Sequence, residues 1–168
     1  MTIVPSIVFF ILIAFLATMA FASAAPWVPT RRKDMDRVLK LAAIAPGEVF
    51  YDLGCGDGRL VVEASRAGAK AIGLDISLMS YLMTLIRIAA ERSNAKVAFK
   101  NFFRQNLSNA SIVYLFLTPS AMPKVKKKLE AELKKGARVI SYAFSIPGLD
   151  LVTADKPPGR QSIYLYRI

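Results

Sequence analysis

The chain has 168 residues, room for one globular domain with a real core and hardly for two. Its formal charge of +11 favours anionic surfaces, either lipid headgroups or nucleic acid. With no histidine, Ser-His-Asp and Cys-His nucleophilic chemistry, His-ligated metals and an imidazole base are excluded, and the lone Cys55 forms no internal disulfide, which fits a reducing compartment.

The apolar share of 54% is high for a soluble domain, and the excess sits at the front. Between Ile3 and Pro26 no residue is charged. A helix needs roughly 20 apolar residues to cross the hydrocarbon core, so residues 1–25 read as a transmembrane anchor. The competing reading is a cleaved signal peptide, with Ala22-Ser23-Ala24 as the cleavage site. Against it, Met1-Thr2 carry no cation, and the run exceeds the ~7–15 residues of an ordinary h-region. Arg31, Arg32 and Lys33 follow at once, which sets a single-pass topology with the remaining domain in the cytoplasm. Pro26-Trp27-Val28-Pro29-Thr30 is stiff, so residues 26–33 form a linker ahead of a domain over 34–168.

From there helical and strand periods alternate. Arg32 to Ala43 reads as a helix ending at Pro46-Gly47, and Val49 to Leu53 as a strand. Arg59 to Ala67 is helical, Lys70 to Ile76 extended, and Leu78 to Arg92 a long helix with Leu82, Leu85, Ile86 and Ala89 on one face. Lys96 to Lys100 and Ser111 to Leu117 are strands. Between them, Asn101 to Ala110 are too few for a crossover helix and predict an open loop. Ala121 to Lys135 is a helix whose lysines at 124 and 126–128 form a solvated face, with contact to headgroups as the alternative. Ala137 to Tyr142 is a fifth strand. Leu149 to Lys156 and Gln161 to Arg167, joined by Pro157-Pro158-Gly159, form a hairpin. The expectation is an α/β, Rossmann-like, doubly wound and mostly parallel seven-stranded sheet with an antiparallel C-terminal hairpin. That arrangement resembles the class I methyltransferases.

The strand-to-helix turn Asp52-Leu53-Gly54-Cys55-Gly56-Asp57-Gly58 carries the chemistry. Small residues let the backbone approach a ligand, and helix N-terminal amides face negative charge. A dinucleotide fingerprint wants its third glycine where Arg59 stands. Glycine at every second position, with Asp52 suited to an ammonium, favours S-adenosylmethionine over NAD. Asp75, ending the second strand, suits the ribose hydroxyls; capping of the next helix is the alternative, although Ser77 is better placed for it. Softer candidates are Asn101 and Phe102 for the adenine, with a loop asparagine and a core phenylalanine as the competing reading. Ile76 is read as adenine cover or core, and Asp57 as a brace that bonds Arg59 or backbone amides.

Pro26 to Thr30, Asp52-Leu53-Gly54-Cys55-Gly56-Asp57-Gly58-Arg59 and Leu117-Thr118-Pro119 together resemble the single-span protein-lysine methyltransferases of the mitochondrial ATP synthase c subunit and adenine nucleotide translocase, and their prokaryotic relatives. The resemblance implies that Pro26 to Thr30 folds over the cofactor as a lid, with Thr30 near its methionine end. Leu117-Thr118-Pro119-Ser120 replaces the D/N-P-P-Y of many amine and nucleobase methyltransferases. That argues against nucleobase methylation and leaves no evident general base. Catalysis is then expected from proximity and a partly desolvated lysine channel lined by Trp27, Phe103, Thr118, Tyr142 and Phe144, aromatics being suited to a cation. Core packing is the alternative for each. The expected partners are a membrane and a lysine-bearing protein, without nucleic acid or metal. A lipid methyltransferase and a non-catalytic cofactor-binding module are the competing functions.

Overall fold

A computed structural model describes residues 29–168, so the expected anchor, Trp27 and most of the 26–33 linker lie outside the described residues. Among those described, no helix is long and apolar enough to cross a membrane.

The elements follow the sequence periods to within a few residues. In order they are α1 (Arg32–Ala42), β1 (Val49–Leu53), α2 (Arg59–Arg66), β2 (Lys70–Asp75), α3 (Leu78–Ala90), β3 (Lys96–Phe99), β4 (Ile112–Leu115), α4 (Met122–Glu132), β5 (Arg138–Tyr142), β6 (Leu151–Asp155) and β7 (Ile163–Arg167). The strands make one seven-stranded sheet in the order β3-β2-β1-β4-β5-β7-β6. All neighbours from β3 to β5 are parallel, while β7 runs antiparallel to both β5 and β6. The order reverses between β1 and β4, and in such sheets ligands bind in the crevice outside the strand C-termini at that point.

β1 and β4 are apolar almost throughout because both sheet faces are covered. On one face Val38 of α1 and Leu60, Val61 and Ala64 of α2 pack against Phe50, Ile112, Tyr114 and Ile140. On the other, Met122, Val125 and Leu129 of α4 pack against Leu53, Val113, Leu115 and Val139. Hydrophobic burial of this kind supplies most of the drive to fold, at about 25 cal/mol per Å².

Two expectations need correction. Asn101 to Ala110 is not simply open: Phe102–Arg104 forms a 3-10 turn, Leu107 is buried, and the loop is held from α4. Lys128 Nζ donates to the carbonyls of Phe103 (3.3 Å) and Gln105 (2.6 Å), and Glu132 accepts from the Leu107 amide at 2.9 Å. So the lysines of α4 are only partly a solvated face; Lys128 is turned inward, and Lys124 sits 4.3 Å over the Phe103 ring. Ten residues between two strands are too few for a crossover helix, but they can be tied down by hydrogen bonds to their carbonyls.

Candidate active site

The strand–turn–helix after β1 is stitched to β2, because the amides of Gly54 and Cys55 both donate to the Leu74 carbonyl (2.8 and 3.1 Å). Gly54, Gly56 and Gly58 all have positive φ (87°, 57° and 74°), the left-handed region that favours glycine. A Cβ on Gly58 would lie 2.4 Å from Thr84 Cγ2, so this glycine also permits the close approach of α3. Gly56 has no atom within 4 Å of a would-be Cβ, which leaves open space against its backbone.

α3 braces the loop from the side. Thr84 Oγ1 donates to the Gly56 carbonyl at 2.9 Å, and Arg87 Nε donates to the Asp57 carbonyl at 2.8 Å. The sequence reading missed these residues. Their signal is present nonetheless: Ser80, Thr84 and Arg87 recur at helical spacing in an otherwise apolar helix.

Three acids meet at this loop, in three different states. Asp57 is 6% exposed and ion-paired with Arg59 (2.6 Å) and Arg87 (2.9 Å). Burial pushes its carboxyl up, but the Arg59 and Arg87 guanidiniums outweigh this and hold it below the usual carboxylate value. Asp57 is therefore a brace with a committed carboxylate. Asp75 is fixed by backbone: Oδ2 accepts from the Gly56 amide at 3.0 Å and Oδ1 from the Ser77 amide at 2.8 Å. Ser77, not Asp75, caps α3, its hydroxyl accepting from Ser80 N at 3.3 Å. An ionised carboxylate has about four lone-pair sites, so two remain for hydroxyl donors. Burial raises the Asp75 pKa despite those amides. Asp52, 3% exposed, has no cationic partner among the described residues. Burial first, then the charges of Asp75 and Asp57, push its pKa well above the ordinary value. A cation brought beside it would relieve that burial and like-charge penalty, which makes Asp52 the candidate partner for a cationic group.

Thr30 is 8% exposed at the β1–β4 crevice, its hydroxyl 2.6 Å from the Tyr114 hydroxyl and its carbonyl accepting from Arg59 Nη1 at 3.3 Å. Cys55 contributes backbone only, since its buried thiol lies against Gly73 and Thr84. Ile76 is 44% exposed on the rim beside Asp75. Asn101 is exposed after β3 with Oδ1 accepting from Phe103 N at 2.9 Å, while Phe102 is 7% exposed against the core. Strand order thus brings Thr30, Asp52, the glycine loop, Asp75, Ile76 and Asn101 to one end of the sheet.

Of the residues read as a substrate channel, Phe103 is half-buried under Lys124, and Thr118 Oγ1 lies 3.0 Å from Ser120 Oγ. Phe144 is 39% exposed and stacks on Phe116. Tyr142 is 1% exposed; its hydroxyl donates to Asp34 at 2.7 Å, and its ring meets Phe116 edge-on. Burial, and then Asp34, push its pKa up to about 12.

The donor set fits S-adenosylmethionine: a carboxylate for an ammonium, a backbone-fixed carboxylate for a diol, and a glycine cradle between them. Among the described residues no group of acidic, cysteine or histidine side chains is arranged to hold a metal ion. Residues 52–153 match the family model described as the ANTKMT methyltransferase domain. A protein-lysine N-methyltransferase of Saccharolobus islandicus (strain REY15A) is 33% identical over 157 residues, covering 89% of this chain and 98% of that protein. The adenine nucleotide translocase lysine N-methyltransferase of Mus musculus is 35% identical over 73% of this chain, which spans only 54% of that protein's length. An RNA methyltransferase from Salinibacter ruber, solved with S-adenosyl-L-homocysteine, superposes with a TM-score of 0.80 at 29% identity, covering 84% of this chain and 94% of that one. By fold, cradle and relatives alike, the chain belongs to the ANTKMT methyltransferase domain family and is an S-adenosylmethionine-dependent methyltransferase.

Proposed function

We propose that the chain N-methylates lysine on a membrane-associated protein. The observation that carries this reading is the match to the archaeal protein-lysine N-methyltransferase across 98% of that protein's length. When bound, the cofactor supplies an electrophilic methyl group on a sulfonium centre. The chain's part is to hold that group and to orient and desolvate an amine. Asp52 takes the cofactor ammonium, and Asp75 the ribose diol. Gly54, Cys55, Gly56 and Gly58 give their backbone, with Asp57 bracing them. Ile76, Asn101 and Phe102 border the adenine.

The lysine enters past Phe103, Thr118 and Phe144, with Tyr142 packed edge-on against Phe116; Trp27, outside the described residues, is assigned to the same channel. The Phe103 ring already carries the Lys124 ammonium at 4.3 Å, a cation that an incoming lysine would have to displace. Burial there lowers the amine pKa, and its proton leaves to water. Residues 1–25 anchor the enzyme as a single span with the domain on the cytoplasmic side. Residues 26–33 form the lid, a role supported by the contacts of Thr30 with Tyr114 and Arg59.

Incubation of membranes with radiolabelled cofactor tests the reading. It expects label in protein, located on lysine by mass spectrometry. Label in solvent-extractable lipid, or none, overturns it. Phe103→Ala and Thr118→Ala are expected to slow transfer, and wild-type rates in both would discard the channel.

A further inference from the structure

α3 is turned inside out relative to a helix on a water-soluble surface. Its polar residues face the protein, where Ser80 and Thr84 are buried and Thr84 and Arg87 hold the glycine loop. Its outer arc is apolar: Leu78, Met79, Leu82, Leu85 and Ile86 are 58%, 66%, 45%, 39% and 69% exposed. Phe99, on the edge strand β3, adds to this surface at 56% exposed, its ring 5.9 Å from that of Tyr81 on α3. Contiguous apolar surface of this kind marks an interaction site.

The rim says what lies against it. Arg92 follows the end of α3, and Lys96, Lys100 and Arg104 lie along the edge strand β3 and the turn after it, all exposed, with Lys96 and Lys100 alternating with Val97 and Phe99 and so leaving the edge on the side away from α3. None forms an ion pair among the described residues. Glu91, next to Arg92 in the sequence, is already shared between Arg66 and Arg87. A second copy packed along this edge would bring the same cations together. The apolar segment from Ile3 to Pro26 has no carboxylate to offer them. An anionic bilayer meets both needs, with acyl chains for the apolar arc and headgroup phosphates for the cations.

We propose that the outer face of α3 seats in the headgroup region of an anionic membrane. α3 begins three residues after Asp75, so the cofactor end of the sheet is held at the bilayer surface, and the enzyme selects lysines close to that surface. This deepens the membrane reading above and rests on it, yet the two fail separately: a retained N-terminal span with α3 in water ends this proposal alone.

The test uses the full chain in phosphatidylcholine vesicles with and without phosphatidylglycerol. A spin label is placed at Leu82→Cys and, as a reference on the opposite sheet face, at Lys127→Cys; the native Cys55 is buried. Oxygen concentrates in the bilayer, and a water-soluble nickel chelate is excluded from it. With phosphatidylglycerol, the label at 82 is expected to collide with oxygen and be several-fold shielded from nickel, and the label at 127 the reverse. Without phosphatidylglycerol, or at high salt, the shielding at 82 is expected to fall. Equal nickel access at both sites overturns the proposal. So does shielding of site 82 from both reagents, which means a protein cover, either the chain's own N-terminal segment or a second copy. Shielding from nickel that is indifferent to lipid charge overturns the part assigned to the cations.

Discussion

Asp75→Asn isolates the chemistry of the second acid. In the wild type the carboxylate accepts the Gly56 amide on Oδ2 and the Ser77 amide on Oδ1, which aims its two remaining lone-pair sites. Asparagine keeps the shape but replaces one oxygen with NH2, which sets a donor against a backbone donor. In either amide orientation one of the two fixing bonds is lost, together with one acceptor for a ribose hydroxyl. A hydrogen bond to a charged group contributes about 1.5–3 kcal/mol, so losing the ribose bond alone weakens binding by roughly 10–100-fold. Loss of the backbone bond to the same carboxylate costs folding about 1.5–3 kcal/mol, or roughly 3–12 °C in Tm for a domain of this size. Calorimetric titration with S-adenosylhomocysteine reads the first effect without turnover, and a thermal scan reads the second. Affinity within about threefold of wild type, in a variant with the expected Tm drop, would refute the ribose assignment.

Asp52→Asn is expected to move stability and affinity in opposite directions. Because burial raises the native pKa, the folded state binds the proton more tightly than the unfolded one, and stability falls as pH rises from the ordinary carboxylate value through the raised one. The asparagine variant, free of this penalty, should melt higher at neutral pH, by a margin that vanishes in acid, while binding S-adenosylmethionine at least about tenfold more weakly. Thermal scans across pH with matched titrations check both. Gly58→Ala combines a positive φ with a clash against Thr84 and should destabilise by about 2 kcal/mol or more. Adding Thr84→Ala should recover the steric share and leave the backbone share, which a denaturant double-mutant cycle resolves. Asp34→Ala leaves the buried Tyr142 hydroxyl without its acceptor and removes one of the partners of Arg37 and of Arg160, and is expected to lose about 2–3 kcal/mol in urea unfolding. Burial opposes ionisation of Asp34, but Tyr142, Arg37 and Arg160 outweigh it and lower its pKa. Its contribution is therefore present above the ordinary carboxylate value and lost as pH falls through the lowered one.

Strand and helix periods carry most of the fold in the sequence. β1 and β4 read directly as buried parallel strands, and Pro157-Pro158-Gly159 as the hairpin turn, because apolar runs and turn residues are local signals. The glycine loop and Asp75 were equally legible, since their spacing is fixed by one strand–helix unit. What escaped was orientation. Leu82, Leu85 and Ile86 share a face, as their spacing says, but periodicity does not tell whether that face meets core or surroundings. Here the polar face is taken by the loop carbonyls. Tyr114 and Arg59, which hold Thr30, also escaped, because those contacts join residues far apart in sequence. The inward turn of Lys128 depends likewise on carbonyls that only the folded loop presents.

The position of β7 bears on how the domain assembles. It follows β6 in the chain but lies between β6 and β5, so β6 has no place in the sheet until residues 163–167 have been made. Those residues bring Ile163 and Tyr166 into the interior, at 0% and 2% exposed. The same hairpin is clasped to the opposite end of the described chain: Arg160 pairs with Asp34 of α1, and Asp155 with Arg37. Early and late segments therefore close on each other in a single late event of high contact order. During synthesis the parallel half can form while β5 still shows an unpaired edge, an invitation to association that ends only when the final strand slots in.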